Sequence, residues 1–122
     1  MGSSPAINST PPVFVVTGPS GAGKGTLISL LLPRFPVLRA AVSATTRAQR
    51  AGERDGVEYW FLSDDEFARR IEAGGFLEWV WYVGNRYGTP NSEIDRIREE
   101  GCAPLLELET EATTLREYIG GR

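Results

Sequence analysis

Residues 13–26 read VFVVTGPSGAGKGT, and this stretch restricts the fold more tightly than any other. Val13, Phe14, Val15 and Val16 form a short apolar run, largely β-branched, of the kind buried as a strand. A glycine-rich turn follows, with Gly18, Gly23 and Lys24 in G-x-x-x-x-G-K spacing, and Leu27–Leu32 then reads as a helix. A strand, a turn and a helix in this order aim the turn's backbone N–H groups and the helix's positive dipole end at one point, where an anion is held. Gly18, Gly21 and Gly23 let the backbone approach a phosphate with no Cβ in the way. The residues that would cradle it are Gly18, Pro19, Ser20, Gly21, Ala22, Gly23, Lys24, Gly25 and Thr26. The alternative is a glycine-rich turn without a ligand; the lysine in its expected place argues against that. A hydroxyl residue that ligates magnesium usually follows the lysine. Here Gly25 takes that place and Thr26 comes one later, so magnesium is held either through water and nucleotide oxygens or by Thr26.

The chain has 122 residues, enough for one domain with one core. Its net charge of −3 argues against a general nucleic-acid surface. No apolar run reaches membrane-spanning length, so no membrane partner is expected. Lys24 is the only lysine and histidine is absent, which excludes histidine-based catalysis and histidine metal ligands; no protein-held metal site is expected. The remaining cations are arginines, suited to forked contacts with phosphate and carboxylate. The single cysteine, Cys102, cannot form an internal disulfide, which fits a cytoplasmic setting. Residues 1–12, rich in Ser and Pro, read as a flexible leader, and 13–122 as the folded domain.

Along the chain, Pro33 and Pro36 bracket the end of the first helix, and Val37–Ala44 reads as one strand. Thr45–Glu58 is polar loop material, and Tyr59–Leu62 a short aromatic strand. Ser63 and Glu66 make a capping box, with acids opening the helix and Arg69 and Arg70 closing it before Gly74-Gly75. Phe76–Val83 reads as a strand broken by Gly84-Asn85. Thr89-Pro90 opens another helix, with Pro90 in its first turn, and Pro104–Glu109 reads as a strand with Glu107 and Glu109 on one face. Strands alternating with helices predict an α/β layer with a parallel sheet. The segment 45–90 looks like a small β-rich insertion on it.

Five motifs in order, GPSGAGKGT, VSATTRAQRAGERDGVEYWF, FLEW, GNRYGT and LLELE, closely resemble the guanylate kinases from Val13 to about Glu109. The resemblance implies a P-loop NTPase-type parallel sheet with flanking helices and an inserted GMP-binding subdomain. It implies ATP with Mg²⁺ on the glycine loop, and phosphoryl transfer from ATP to GMP. Ser43, Glu78 and Glu109 would read the guanine base, whose imino and amino hydrogens a carboxylate accepts. Adenine offers an acceptor there, a mismatch worth about 10⁴-fold. Glu109 stands where the family has aspartate. Arg47, Arg50, Tyr59 and Tyr87 would grip the GMP phosphate, Glu53 would orient one of the arginines, and Gly88 and Thr89 would follow in the same binding segment. Lys24, Arg47 and Arg50 would be the catalytic cations.

Complete members of the family continue further. An arginine-bearing lid and an adenine-contacting segment are not recognisable after Glu109, where Ala112 replaces an expected glycine. The resemblance therefore implies a chain truncated before the lid, with Val13–Val16 on an exposed edge that favours homo-oligomers. Three readings stay open: an active kinase, a remnant that binds nucleotide with little turnover, and a protein-interaction module. The intact Gly18, Gly23 and Lys24 place the module last.

Overall fold

The computed structural model describes residues 11–19 and 23–109. The loop centre Ser20–Ala22, most of the expected leader and the tail from residue 110 lie outside the described residues. Three parallel strands form the first sheet, in the order β1-β7-β2: β1 (Phe14–Gly18), β2 (Leu38–Ala40) and β7 (Ala103–Glu109). β7 lies in the middle, and all its side chains from Ala103 to Leu108 are buried except Glu107, as expected of a central parallel strand covered on both faces. Helix α1 (Lys24–Arg34) connects β1 to β2. Leu106 and Leu108 pack with Ile94, flanked by Val13, Val15, Ala41 and Leu77.

The second sheet has the order β4-β3-β6-β5. Its strands are β3 (Ala44–Thr45), β4 (Trp60–Phe61), β5 (Phe76–Tyr82) and β6 (Asn85–Pro90). β5 and β6 are a hairpin closed by Val83 and Gly84, at φ 49° and 82°. Two left-handed residues in a two-residue turn match the right-handed twist of the flanking strands. Helix α2 (Asp64–Glu72) begins with half of the expected capping box: Glu66 N–H donates to Ser63 Oγ at 3.0 Å, while the Glu66 carboxylate pairs with Arg69 and Arg70 instead of Ser63 N–H. Phe67 is fully buried and stacks on Phe76 at 4.3 Å between ring centres. Gly74 ends the helix at φ 71°. Helix α3 (Asn91–Glu99) returns the chain to the first sheet and buries Ile94 and Ile97.

Two local expectations are corrected. Val37–Ala44 is not one strand: β2 and β3 belong to different sheets, separated by residues 41–43. Val42 N–H donates to the Glu93 carboxylate at 2.8 Å instead of to a strand neighbour. Pro90 is not in the first turn of a helix but caps α3 from the end of β6, at φ −66° and ψ 136°. The strand β6 takes up Thr89, which the sequence had placed at a helix start.

No helix among the described residues is long and apolar enough to cross a membrane.

Candidate functional site

A cleft of about 540 Å³ opens between the two sheets. Its walls run from Ser43, in the segment joining them, and Glu107 on β7 to Tyr59, just before β4, and Glu78 and Tyr87 of the second sheet. It therefore lies toward the carboxyl ends of the parallel strands, where α/β folds place ligands. In the β1–β7 register Glu107 stands opposite Val16, and two residues on Glu109 stands opposite Gly18, where the glycine loop begins.

On the loop side, Lys24 opens α1 and is only 7% exposed. Its Nζ donates to the carbonyls of Gly18 at 2.7 Å and Pro19 at 3.0 Å. The ammonium is thus held against the loop's own backbone, next to the helix N-terminus. Gly23, at φ 91°, adopts a conformation that favours glycine, and Gly25 and Thr26 follow, exposed, in the first turn.

In the loop after β3, Arg47 is pinned by Glu53 through two bonds, Nη1 to Oε1 at 3.1 Å and Nη2 to Oε2 at 2.8 Å. Its guanidinium also lies 5.1 Å from the Tyr59 ring centre and 5.8 Å from that of Phe61. Planar forks of this kind are the strong, oriented ion pairs. The bond from Arg47 holds the Glu53 carboxyl below the usual carboxylate range, helped by the Arg50 backbone N–H at 2.9 Å. Glu53 conversely raises Arg47 above its ordinary value. Tyr59 is pushed up, first by burial and then by Tyr87, whose ring stands edge-on at 5.8 Å. Arg50 is exposed.

Deeper in the cleft, Glu78 is 5% exposed and accepts the Thr89 hydroxyl at 2.7 Å. Burial pushes its carboxyl up, against the opposing pull of Thr89. Gly88 leaves this corner open, since a Cβ there would lie 2.9 Å from Trp79 Cβ and 3.0 Å from the Glu78 carbonyl.

Comparison with known proteins accords with this arrangement. The family model described as guanylate kinase matches residues 10–117. The chain belongs to the guanylate kinase family. It is 50% identical over 97 residues to a guanylate kinase of Symbiobacterium thermophilum, covering 80% of this chain and 46% of that one. It is 53% identical over 97 residues to that of Rubrobacter xylanophilus, covering 80% and 51%. The crystal structure of guanylate kinase from Anaplasma phagocytophilum superposes with a TM-score of 0.66 at 29% identity, over 88% of this chain and 54% of that one. The chain spans about half the length of the curated relatives it matches.

Set against this family membership, the structure brings Ser43, Glu53, Tyr59, Glu78, Tyr87 and Gly88 to the walls of one cleft. Arg47 lies behind that wall, attached to Glu53 and Tyr59, and Thr89 behind Glu78. Arg50 is not part of the wall. The side chain of Glu109 lies outside the described residues. Three acids escaped the sequence reading of the site, one of them Glu58, which accepts Arg54 N–H and lines the cleft. Glu107 lines the cleft; its alternation with Glu109 was the available signal. Glu93 is buried at the junction of the sheets, and nothing in a charged helix sequence distinguished it from a solvated acid.

Proposed function

We propose that this member of the guanylate kinase family transfers the γ-phosphoryl group of ATP to GMP, giving ADP and GDP. The observation that carries this reading is the buried Glu78 carboxylate in the same cleft as the Glu53–Tyr59–Tyr87 wall. A carboxylate at one end suits the two N–H donors of guanine, and an arginine with two phenols at the other suits a phosphate dianion. Ser43 and Glu109 complete the base contacts, Glu109 from the central strand beside the glycine loop.

In this reading Gly18–Thr26 hold the ATP phosphates, and Lys24 exchanges its loop carbonyls for phosphate oxygens. Arg47 and Arg50 hold the acceptor phosphate, with Glu53 keeping the Arg47 fork oriented. Gly88 and Thr89 shape the base corner around Glu78. The chain's task is alignment and charge neutralisation, since phosphoryl transfer needs little covalent help from the protein. Mg²⁺ bound with ATP would neutralise charge on the transferred group. That ion would be held mainly by nucleotide oxygens and water, with Thr26 as the available hydroxyl.

We further infer that residues 13–122 act as one unit, with 45–90 as its GMP-binding insertion. The buried free thiol of Cys102 supports work in a reducing cytoplasm. The edge of β1 supports self-association. A coupled assay of ADP release with ATP and GMP tests the main reading. GMP-dependent release supports it; GMP binding by calorimetry without release overturns the transfer.

A further inference from the structure

The described chain passes from the first sheet to the second through residues 41–43 and returns from Pro90 into α3. Glu93 sits at this junction, in the first turn of α3, and is only 3% exposed. Its two oxygens are divided between the sheets' connections. Oε1 accepts Val42 N–H at 2.8 Å, together with Arg96 Nη2 at 2.9 Å. Oε2 accepts the Trp60 indole N–H at 3.1 Å. Val42 immediately precedes Ser43, and Trp60 immediately follows Tyr59; both neighbours line the cleft. The Trp60 ring in turn covers Gly56, where an added Cβ would lie 2.8 Å from Cη2. The clasp therefore reaches into the loop that carries Arg47 and Glu53.

A buried carboxylate is costly unless its lone pairs are filled by good donors. Here three donors fill them, from an adjoining segment, a strand and the carboxylate's own helix. A merely solvated or helix-stabilising acid needs neither Val42 nor Trp60. We infer that Glu93 is a positioning residue for the GMP half of the cleft: it holds the Val42–Ser43 segment and the Tyr59–Trp60 segment in one fixed relation. The inference rests on the GMP reading proposed above, and its test separates the two.

Glu93→Gln keeps the side chain's size but offers one oxygen to three donors, so its amide NH₂ meets either the Trp60 indole or Val42 N–H together with Arg96. Trp60→Phe removes the indole donor, and in the double variant the remaining oxygen can take Val42 N–H and Arg96 as Oε1 does. Hydrogen exchange and GMP calorimetry are measured on the whole chain for all three. In Glu93→Gln, amides in segments 42–45 and 59–62 should exchange about tenfold faster or more, those of β1 and β7 at the wild-type rate, and the GMP Kd should rise about tenfold. Trp60→Phe alone should loosen 59–62 and spare 42–45. The double variant should recover protection at 42–45. Unchanged exchange in Glu93→Gln overturns the inference. So does uniform loosening that includes β1 and β7, which marks a residue of general stability. If the wild-type chain takes up no GMP, the GMP reading fails on its own, and localised against unchanged or uniform exchange still decides whether Glu93 fixes these two segments.

Discussion

Thr89 and Glu78 stand opposite each other in the β5–β6 pair, and the threonine hydroxyl donates to the carboxylate at 2.7 Å. Burial raises the Glu78 pKa above the usual glutamate value, and the threonine offsets that only in part. A carboxyl with a raised folded pKa holds its proton to higher pH in the folded state than in the unfolded one. Its stabilising share is full below the unfolded pKa and is lost as pH rises through the folded pKa. Glu78→Gln should therefore flatten the fall in urea midpoint with rising pH and be the more stable chain at neutral pH. The same change should weaken GMP about 10–100-fold, the worth of one charge-assisted bond. Stability and affinity moving in the same direction would contradict this.

Arg47 and Glu53 make a fork-to-fork pair. Lysine cannot span both oxygens in that plane. Arg47→Lys should raise the KM for GMP about tenfold or more and leave that for ATP unchanged. Glu53→Gln should give a milder loss of the same kind, because the amide keeps one acceptor. Initial rates with each nucleotide varied in turn check both.

Lys24 touches two loop carbonyls that a nucleotide phosphate would replace. Lys24→Met should weaken ATP about 10–100-fold, judged by the usual worth of charge-assisted bonds, and abolish turnover. Calorimetry with ATP and the coupled assay read the two effects. Undiminished ATP affinity would remove Lys24 from its role.

Gly88→Ala places a methyl group against Trp79 Cβ and the Glu78 carbonyl, both at 3.0 Å or closer. Backbone cannot swing aside as a side-chain tip does, so the change should cost about 1–3 kcal/mol in urea unfolding. GMP affinity should fall with it, as Glu78 is pushed.

Among the described residues β1 pairs on one side only, with Phe14 46% exposed. Light scattering should find masses above the monomer that rise with concentration. Phe14→Lys, which charges the edge, should return the chain to a monomer. A wild-type monomer at every concentration would overturn self-association through this edge.

Local chemistry carried much of the fold into legibility. The Ser63–Glu66 cap, the Gly74 stop and the strand–turn–helix around Lys24 each rest on neighbours in sequence. The division of 37–44 into two strands was not legible, because both halves are apolar and the residue that takes Val42 N–H, Glu93, lies 51 positions away. Pro90 misled for a related reason: its fixed φ suits a helix start, and its strand role depends on pairing with Phe76. The cleft residues came to notice as an ordered set rather than singly. Arg47 in a polar loop looks solvated until the Glu53 fork and the Tyr59 ring are seen beneath it.

The pairing of Ala44 with Gly88 sets an order of events when the chain refolds. The β5–β6 hairpin closes through a two-residue turn, a microsecond event in isolated hairpins. β3 must instead find β6 across the whole of the intervening chain, and such distant pairings are what slow folding. The short strand at residues 44–45 then docks onto a hairpin already made. Refolding traces should accordingly separate an early signal from Trp79 and Trp81 from a later one at Trp60.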